Sequence, residues 1–261
     1  MERYFGLAKE LLDKGLARET VSYGHNNTYD QAIKFTSDLD FYIKLAKDKG
    51  GKVLDVGCGT GRVLEHLLKS DIDASGMDSS THMLKLAAKK LKQAGFNPEL
   101  HEGDMRNFNL SQKYSLIIIP YYTMIYMHTD RERTEVMQCC YEHLVSKGLL
   151  AFDFDAGTAE PGLSKPWLGF EQLDNTGQAV VQTVQMNQVS QHQRVINMIT
   201  YRLKDQESYI EVNACIESSI PAPRMKQLLE DTGFNIKGFY KDYDLSPYSG
   251  GEECLVIAGK L

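Results

Sequence analysis

The chain has 261 residues, of which 42% are hydrophobic and 25% charged, and its formal net charge is −6. This composition is ordinary for a globular protein, and a chain of this length can bury a sizeable core without disulfides. The acidic balance disfavours a nucleic-acid partner, and no apolar run is long enough to cross a bilayer. The five cysteines lack metal-ligand spacing, so we expect a cytoplasmic protein with reduced thiols and no metal site.

Helix and strand patterns alternate along the first 155 residues. Apolar positions at helical spacing predict helices at 4–12 and 31–47. Short apolar strands and helices then follow each other. The predicted strands are 52–56, 74–78, 99–102, 114–120 and 148–153, and the predicted helices are 63–70, 130–146 and one that Ser79 or Ser80 caps. This alternation predicts a doubly wound, mostly parallel sheet, whose ligands bind beyond the carboxyl ends of the strands.

The pattern changes after Asp155. Residues 156–177 are predicted to be loop. Three strand-like runs follow, at 180–187, 195–203 and 209–216, and they predict an inserted antiparallel meander. A helix after Pro221 and strands at 234–240 and 253–258 complete a seven-stranded sheet. The predicted domains are an N-terminal helical cap at 1–50, an α/β core at 51–155 and 220–261, and a β insert at 156–219.

A glycine-rich turn follows the first of the core strands. Gly57, Gly59 and Gly61 let the backbone turn sharply and approach a ligand closely. The helix that begins after the turn can direct its first amides at a polar or anionic group. A dinucleotide-binding loop needs the spacing G-x-G-x-x-G, but the sixth position here is Arg62. A nicotinamide oxidoreductase is therefore disfavoured.

The string Leu-Asp-Val-Gly-Cys-Gly-Thr-Gly at 54–61 resembles the first motif of class I S-adenosylmethionine-dependent methyltransferases. Three further segments match this family in order. They are Asp78 at the end of the second strand, Gly-Asp-Met-Arg at 103–106 after the third, and Ile-Pro-Tyr-Tyr-Thr-Met at 119–124 at the end of the fourth. The resemblance implies a Rossmann-like methyltransferase fold and S-adenosyl-L-methionine as the cofactor.

The resemblance also assigns roles in cofactor binding. The glycine loop would hold the methionine end, Asp78 would accept hydrogen bonds from the ribose hydroxyls, and Asp104 would accept from the adenine amino group. Met105 would pack on the adenine ring or donate its backbone amide. The full implied set is Tyr29, Asp55, Gly57, Cys58, Gly59, Asp78, Ser79, Met83, Asp104, Met105 and Tyr121.

Other features resemble one branch of the family, the small-molecule N-methyltransferases. This branch includes the amino-sugar N,N-dimethyltransferases and the glycine/sarcosine methyltransferases. Its likeness rests on the segment 103–108, the inserted meander and the Tyr29-Asp30 pair. In this branch an N-terminal Tyr-Asp segment closes over the cofactor, which implicates Tyr29, with Tyr23 as a second candidate. The meander in this branch forms a lid over the acceptor pocket.

Several side chains are candidates for the transfer step and for acceptor binding. Tyr122, Tyr126 and His128 lie at or just after the fourth strand, and histidine is the side chain best suited to proton transfer near neutral pH. The acceptor candidates are Trp167, Arg202 and Arg224. An amine acceptor needs only to be neutral, so a modest base or a desolvating pocket suffices and no metal is required.

The leading hypothesis is methyl transfer to a small-molecule acceptor, at an amine or heterocycle nitrogen. The enzymatic alternatives are O-methylation of a small molecule and methylation of RNA or protein, of which the second is disfavoured by the acidic charge. A non-enzymatic alternative is a cofactor-binding sensor module. The expected partner is the small-molecule acceptor, with neither nucleic acid nor membrane, and the sequence leaves the oligomeric state open.

Overall fold

The structure is a computed structural model, and it describes residues 2–20, 35–174, 177–203 and 208–261. The chain divides into two compact units. The first contains the described residues of 1–34 and 159–218, and the second contains those of 35–158 and 219–261. Each unit is built around its own β-sheet.

The helices and strands are numbered here along the chain. They are α1 (Gly6–Asp13), β1 (Arg18–Glu19), α2 (Leu39–Lys49), β2 (Val53–Val56), α3 (Arg62–Lys69), β3 (Ala74–Asp78), α4 (Thr81–Gln93), β4 (Leu100–Glu102), β5 (Tyr114–Ile119), α5 (Asp130–His143), β6 (Leu144–Asp155), β7 (Gly162–Leu163), β8 (Trp167–Leu173), β9 (Ala179–Ser190), β10 (Gln193–Leu203), β11 (Tyr209–Ser218), α6 (Ala222–Asp231), β12 (Asn235–Tyr240) and β13 (Glu253–Gly259). A 3₁₀ turn, Thr123–Tyr126, follows β5.

The second unit contains a seven-stranded sheet in the order β12-β13-β6-β5-β2-β3-β4. Its neighbouring strands pair in parallel except at β13, which is antiparallel to both β6 and β12. The predicted doubly wound, mostly parallel sheet is therefore confirmed. Because β2, β3, β5 and β6 run in one direction, their carboxyl ends lie along the same edge of the sheet.

Apolar clusters on the two sides of this sheet explain its stability. One contains Ile117 of β5 with Val136 of α5 and Met225 of α6. The other contains Leu116 of the same strand with Tyr42 of α2 and with residues of α3 and α4. Successive β5 side chains point to opposite faces, and both faces are covered, so the strand is apolar and buried from Leu116 to Ile119, as expected for a central parallel strand.

The first unit contains a six-stranded sheet in the order β1-β11-β10-β9-β7, with β8 also paired to β9. The predicted antiparallel meander is confirmed as β9, β10 and β11. Helix α1 packs Ala8 against Ile199 and Val212 of this sheet. The loop predicted for 156–177 is wrong in part, because β7 and β8 form there by pairing with β9, with Trp167 opposite Val184.

The compact units also differ from the predicted domain boundaries. The predicted cap ran to residue 50, but Tyr42 of α2 is completely buried in the same cluster as Val53 and Leu64. Helix α2 therefore belongs to the core by its contacts. It begins at Leu39, whereas the prediction began at residue 31, and residues 31–34 lie outside the described part of the chain. The roles of cap and lid stay predictions.

Candidate functional site

The glycine turn after β2 is fixed to the end of β3. The N–H groups of Gly57 and Cys58 donate to the carbonyl oxygen of Met77, at 2.8 and 2.9 Å. Gly57 has a φ of +73°, and a Cβ at this position would lie 2.6 Å from Cγ2 of Thr123. The turn thus needs glycine at 57 for its backbone conformation and for its close approach to the segment after β5.

Asp78, at the end of β3, connects the glycine turn to helix α4. Its Oδ2 accepts from the N–H of Gly59 at 2.8 Å, and its Oδ1 accepts from the N–H of Ser80 at 2.8 Å. Each carboxylate oxygen has a further lone pair for another donor. Burial raises the pKa of Asp78, while these two backbone donors act in the opposite direction.

The residues after Asp78 begin helix α4 as the sequence predicted. Ser80 is the N-cap, and its Oγ accepts from the N–H of Met83 at 3.3 Å. The side chain of Met83 is buried, whereas Ser79 is exposed. Ser79 directly follows Asp78, and Met83 is joined by its N–H to Ser80. The predicted contact of Ser79 and Met83 with the cofactor stays a prediction.

Asp55 is a buried acid directly before the glycine turn. Within the described part of the chain neither of its carboxylate oxygens has a hydrogen-bond partner. Burial raises its pKa to about 7, although the nearby charge of Arg62 acts against this shift. Arg62 itself forms a bidentate ion pair with the buried Asp38, with nitrogen to oxygen distances of 2.7 and 2.6 Å. Sequence reasoning considered Arg62 only as a missing glycine and did not find this pair.

The turn after β4 holds the predicted adenine-binding residues. The Asp104 carboxylate accepts from both the backbone N–H and the Nε of Arg106, at 2.9 and 3.0 Å, and this pairing lowers its pKa. Arg106 also donates to Glu132 at 3.1 Å. The Met105 side chain is buried in the apolar cluster that contains Phe108. Both predicted residues thus have local structural contacts, and their binding of adenine stays a prediction.

The turn after β5 contains two tyrosines in the left-handed backbone region. Tyr121 and Tyr122 have φ values of 58° and 56°. Their N–H groups donate to Asp153, at 3.0 and 2.6 Å, and the hydroxyl of Tyr42 donates to the same carboxylate at 2.9 Å. Asp153 is buried, and burial raises its pKa to about 6.

Sequence reasoning placed Asp153 at the end of a strand and gave it no role. One signal was present in the sequence, because it is a single acid within the apolar run from Leu149 to Phe154. A buried acid requires hydrogen-bond donors, but the sequence does not identify them.

The ring of Tyr121 lies among an aromatic and a cationic neighbour. The Arg62 guanidinium is 5.3 Å from the ring centroid, and the Phe35 ring is 5.6 Å away. Arg62 follows the glycine turn directly, so the predicted cofactor residue Tyr121 is linked to that turn by a cation–π contact.

The three catalytic candidates lie between β5 and α5. Burial lowers the pKa of His128, so its imidazole is neutral at pH 7. Burial and the neighbouring Asp153 raise the pKa of Tyr122, which therefore stays protonated. Tyr126 packs against the core cluster. His128 is the one of the three that can accept a proton near neutral pH.

The acceptor candidates are divided between the two units. Arg202 is buried on β10 and pairs with Glu211 at 2.9 Å and with Asp174 at 3.8 Å. Trp167 on β8 is 44% exposed. Arg224, in the second unit, donates to Asp130 at the surface. Their contact with an acceptor stays a prediction. The predicted tyrosines 29 and 23 lie outside the described residues.

The described part of the chain shows two further properties. None of its helices is both long and apolar enough to cross a membrane. Its His, Cys, Asp and Glu side chains form no group of three or more with the arrangement of a metal site.

Comparison with known proteins shows that part of the second unit is similar to a known family. Residues 53–148, which run from β2 into β6, match the family described as a methyltransferase domain. The chain is thus similar to this family over 96 of its 261 residues. The match covers the glycine turn, Asp78, the Asp104 turn and the Tyr121 turn, which are the segments on which the predicted resemblance rested. That resemblance is confirmed.

Two curated relatives resemble this chain in sequence. A dTDP-3-amino-3,4,6-trideoxy-alpha-D-glucopyranose N,N-dimethyltransferase of Streptomyces venezuelae is 33% identical over 117 residues, which are 45% of this chain and 48% of the relative. A dTDP-3-amino-3,6-dideoxy-alpha-D-glucopyranose N,N-dimethyltransferase of Streptomyces fradiae is 28% identical over 152 residues, which are 58% and 54% of the two chains. The chain thus spans about half the length of these relatives.

A solved structure resembles nearly the whole chain. The sugar N-methyltransferase KedS8 from Streptoalloteichus sp ATCC 53650 superposes with a TM-score of 0.74 at 19% sequence identity, over 92% of this chain and 96% of the other. At this identity the likeness shows the fold. The Rossmann-like methyltransferase fold predicted from the sequence is therefore confirmed.

Proposed function

We propose that the methyltransferase domain binds S-adenosyl-L-methionine along the carboxyl edge of its parallel sheet, and that the protein transfers the methyl group to an amine of a small molecule. The observation that carries the proposal is the hydrogen bond from Gly59 to Asp78. This bond fixes the glycine turn next to the carboxylate at the end of β3. A ligand made of a nucleoside and an attached amino acid needs both, the turn for its amino-acid end and the carboxylate for its ribose hydroxyls.

The residues present fit this cofactor. A Cβ built on Gly59 would meet nothing within 4 Å, so the backbone there is open to a close ligand. Asp78 keeps lone pairs for the ribose hydroxyls after accepting its two backbone bonds. The Asp55 carboxyl, directly before the turn, has no hydrogen-bond partner among the described residues and supplies an acceptor for a donor on the methionine end. When bound, the cofactor supplies a methyl group on a positively charged sulfur, which is already reactive.

The remaining work of the protein is to bind, orient and exclude water. An amine attacks only when it is neutral, and a desolvated pocket favours the neutral form. His128, neutral at pH 7, is the candidate to accept the proton that the amine loses. The protonated hydroxyl of Tyr122 is the candidate to orient the acceptor through a hydrogen bond.

Amino sugars are the acceptor class that we propose to test first. Both curated relatives carry the name of an N,N-dimethyltransferase of a nucleotide-linked amino sugar. Their likeness to this chain covers 45% and 58% of it, so the acceptor is inferred from the names of the relatives and not from this chain's acceptor residues. A panel should therefore also contain amino acids, heterocycles and hydroxyl compounds.

Binding of S-adenosylhomocysteine, measured by calorimetry, tests the cofactor site. We expect Asp78→Asn to weaken binding by at least about tenfold, because the variant loses charge-assisted hydrogen bonds. Asp73→Asn is the matched control: this aspartate is exposed just before the opposite end of β3, and we expect unchanged affinity. Absence of binding by the unaltered protein at submillimolar ligand would refute the proposal, as would equal affinity in Asp78→Asn.

Mass spectrometry of reactions with the acceptor panel tests the chemistry. We expect products that carry one or two added methyl groups on amines, and a loss of rate in His128→Asn. Products from hydroxyl compounds alone would replace the proposal with O-methylation. Binding of the cofactor without any product, including from RNA and protein, would favour a sensor module.

A further inference from the structure

The turn after β5 has an unusual backbone. Tyr121 and Tyr122 both lie in the left-handed region, which is strained for side chains with a Cβ and is rarely adopted by two bulky residues in succession. Such a conformation persists only where the surrounding structure holds it. The question is therefore which groups hold this turn.

Asp153 provides that support from the neighbouring strand β6. Its carboxylate accepts the N–H of Tyr121, the N–H of Tyr122 and the hydroxyl of Tyr42. The three donors come from two segments, the turn itself and helix α2. The side chain is 2% exposed, so water does not compete for these bonds and each is strengthened by the low dielectric of the interior.

The held turn contacts two parts of the candidate cofactor site. Thr123, which follows it, leaves no room for a Cβ on Gly57. The ring of Tyr121 lies under the guanidinium of Arg62, and Asp38 holds that guanidinium by an ion pair. A change of the turn would thus reach the glycine turn by two routes, one steric and one through the Arg62 contact.

We propose that Asp153 is a positioning residue, whose buried carboxylate holds the Tyr121–Tyr122 turn in its strained conformation and thereby sets the shape of the cofactor and transfer site. This inference rests on the proposed function for its consequence in catalysis, whereas the holding of the turn stands on the geometry alone. Asp153 has no expected contact with substrate or cofactor.

A carboxylate suits this position better than its isosteric amide. Asp153 accepts at both oxygens, while asparagine has one oxygen, and its NH₂ group would face a backbone N–H or the Tyr42 hydroxyl. Among the described residues, the other titratable groups that interact with Asp153 are the Asp38 carboxylate and the hydroxyls of Tyr121, Tyr122 and Tyr243. Because its pKa is about 6, a proton added below that pH occupies one oxygen and removes an acceptor from the turn.

The first experiment follows the turn itself by NMR. In the unaltered protein we expect the amide protons of Tyr121 and Tyr122 to be shifted downfield and to titrate near pH 6. In Asp153→Asn we expect both shifts to move upfield and the titration to disappear. Unchanged amide shifts in this variant would overturn the proposal. This measurement needs no cofactor, so it decides the proposal even if the protein does not bind S-adenosylhomocysteine.

The second experiment uses a milder pair of variants, in case Asp153→Asn does not fold. Tyr42→Phe removes one donor from Asp153, and Tyr114→Phe is the matched control: it is an equally buried tyrosine, at the other end of β5, that bonds to Ser75. We expect Tyr42→Phe to lower kcat about threefold to tenfold, and to change KM for the acceptor less. We expect Tyr114→Phe to leave both constants unchanged at a similar loss of stability.

The two proposals fail in distinguishable ways. Equal kcat values for Tyr42→Phe and Tyr114→Phe, together with unchanged Tyr121 and Tyr122 amide shifts, would show that Asp153 has a merely structural role. Absence of S-adenosylhomocysteine binding by the unaltered protein would refute the proposed function and leave the NMR result valid.

Discussion

The two sheets of this protein are stabilised in different ways. In the seven-stranded sheet the central strand β5 is buried over Leu116–Ile119 with apolar side chains alone. The six-stranded sheet instead buries many polar and charged side chains. These are Gln185, Gln188, Asn197, Thr200, Arg202, Glu211, Asn213 and Ser218. Burial of apolar surface stabilises the seven-stranded sheet, whereas the six-stranded sheet depends on the pairing of its buried polar groups.

The use of polar groups also differs. In the seven-stranded sheet the buried acids lie near the carboxyl edge, where Asp153 binds the Tyr121–Tyr122 turn. In the six-stranded sheet, buried polar side chains connect secondary-structure elements to each other. Asn197 accepts from the N–H of Phe5 and donates to the carbonyl of Arg3, so it attaches the segment before α1 to the sheet. Polar residues thus serve the site in one unit and the architecture in the other.

The largest effect that we expect comes from breaking the buried ion pair of the six-stranded sheet. Arg202→Met leaves the buried carboxylate of Glu211 with the exposed Arg18 as its one ion-pair partner among the described residues. The free energy of unfolding should fall by about 3 kcal/mol, as for other broken buried pairs. Urea unfolding measures this change.

A surface pair provides the control for this variant. Arg224→Met breaks the ion pair with Asp130, in which both side chains are more than 40% exposed, and should cost less than about 1 kcal/mol. The double variant Arg202→Met with Glu211→Leu should recover most of the loss, because both charges of the buried pair are then removed together. Equal stabilities of Arg202→Met and Arg224→Met would contradict the contrast between the two sheets.

The second prediction concerns pH and Asp55, a buried acid of the seven-stranded sheet. The pKa of Asp55 is raised to about 7 in the folded protein, so the folded state keeps a proton that the unfolded state releases. Its contribution to stability is therefore full below about pH 4 and is lost as the pH rises to about 7. The free energy of unfolding of Asp55→Asn, taken relative to that of the unaltered protein, should therefore rise by on the order of 3 kcal/mol from pH 5 to pH 8.

Chemical denaturation of both proteins at the two pH values measures this difference. Asp73→Asn is the control, since this aspartate is exposed, and it should keep the pH dependence of the unaltered protein. A constant difference between the unaltered protein and Asp55→Asn across this range would show that Asp55 is ionised in the folded state and that this sheet also pairs its buried charges.

The smallest expected effect distinguishes two glycines of one turn. Gly57→Ala and Gly59→Ala both introduce a Cβ at a positive φ, which is a strain common to both. The new methyl group also meets Thr123 at position 57 and open space at position 59. We expect the free energy of unfolding of Gly57→Ala to be about 1 kcal/mol lower than that of Gly59→Ala, as measured by thermal unfolding. The opposite order would argue against the close packing of the two turns.

The apolar sheet was the more predictable of the two from sequence. Strands such as β5 combine an apolar run with turn signals, and the family motifs identify their ends, so the order of elements and the position of Asp78 were predictable. Strand β8 was not, because it has exposed side chains, including Leu168 and Leu173, and gains its structure from pairing with β9. The apolar pattern in a sequence indicates strands whose side chains are buried, so it does not detect an exposed strand such as β8.

The site was predictable only where a motif covers it. Asp78 and the glycine turn lie in such motifs, and the structure brings them together through Gly59. The Asp38–Arg62 pair and the bonds of Asp153 join segments that are distant in sequence, and pairing over such distances depends on the fold. The pairing of Asp104 with Arg106 is local, but the sequence does not give the side-chain rotamers that decide it.

The parallel pairing of β1 with β11 has a consequence for how the chain folds. Arg18 lies opposite Glu211, and 193 residues separate them, whereas β2 pairs with the next strand, β3. Contacts between such distant residues form slowly, since a long loop must close first. We therefore expect the parallel sheet to assemble early and the N-terminal segment to join its own sheet in a late, slower phase.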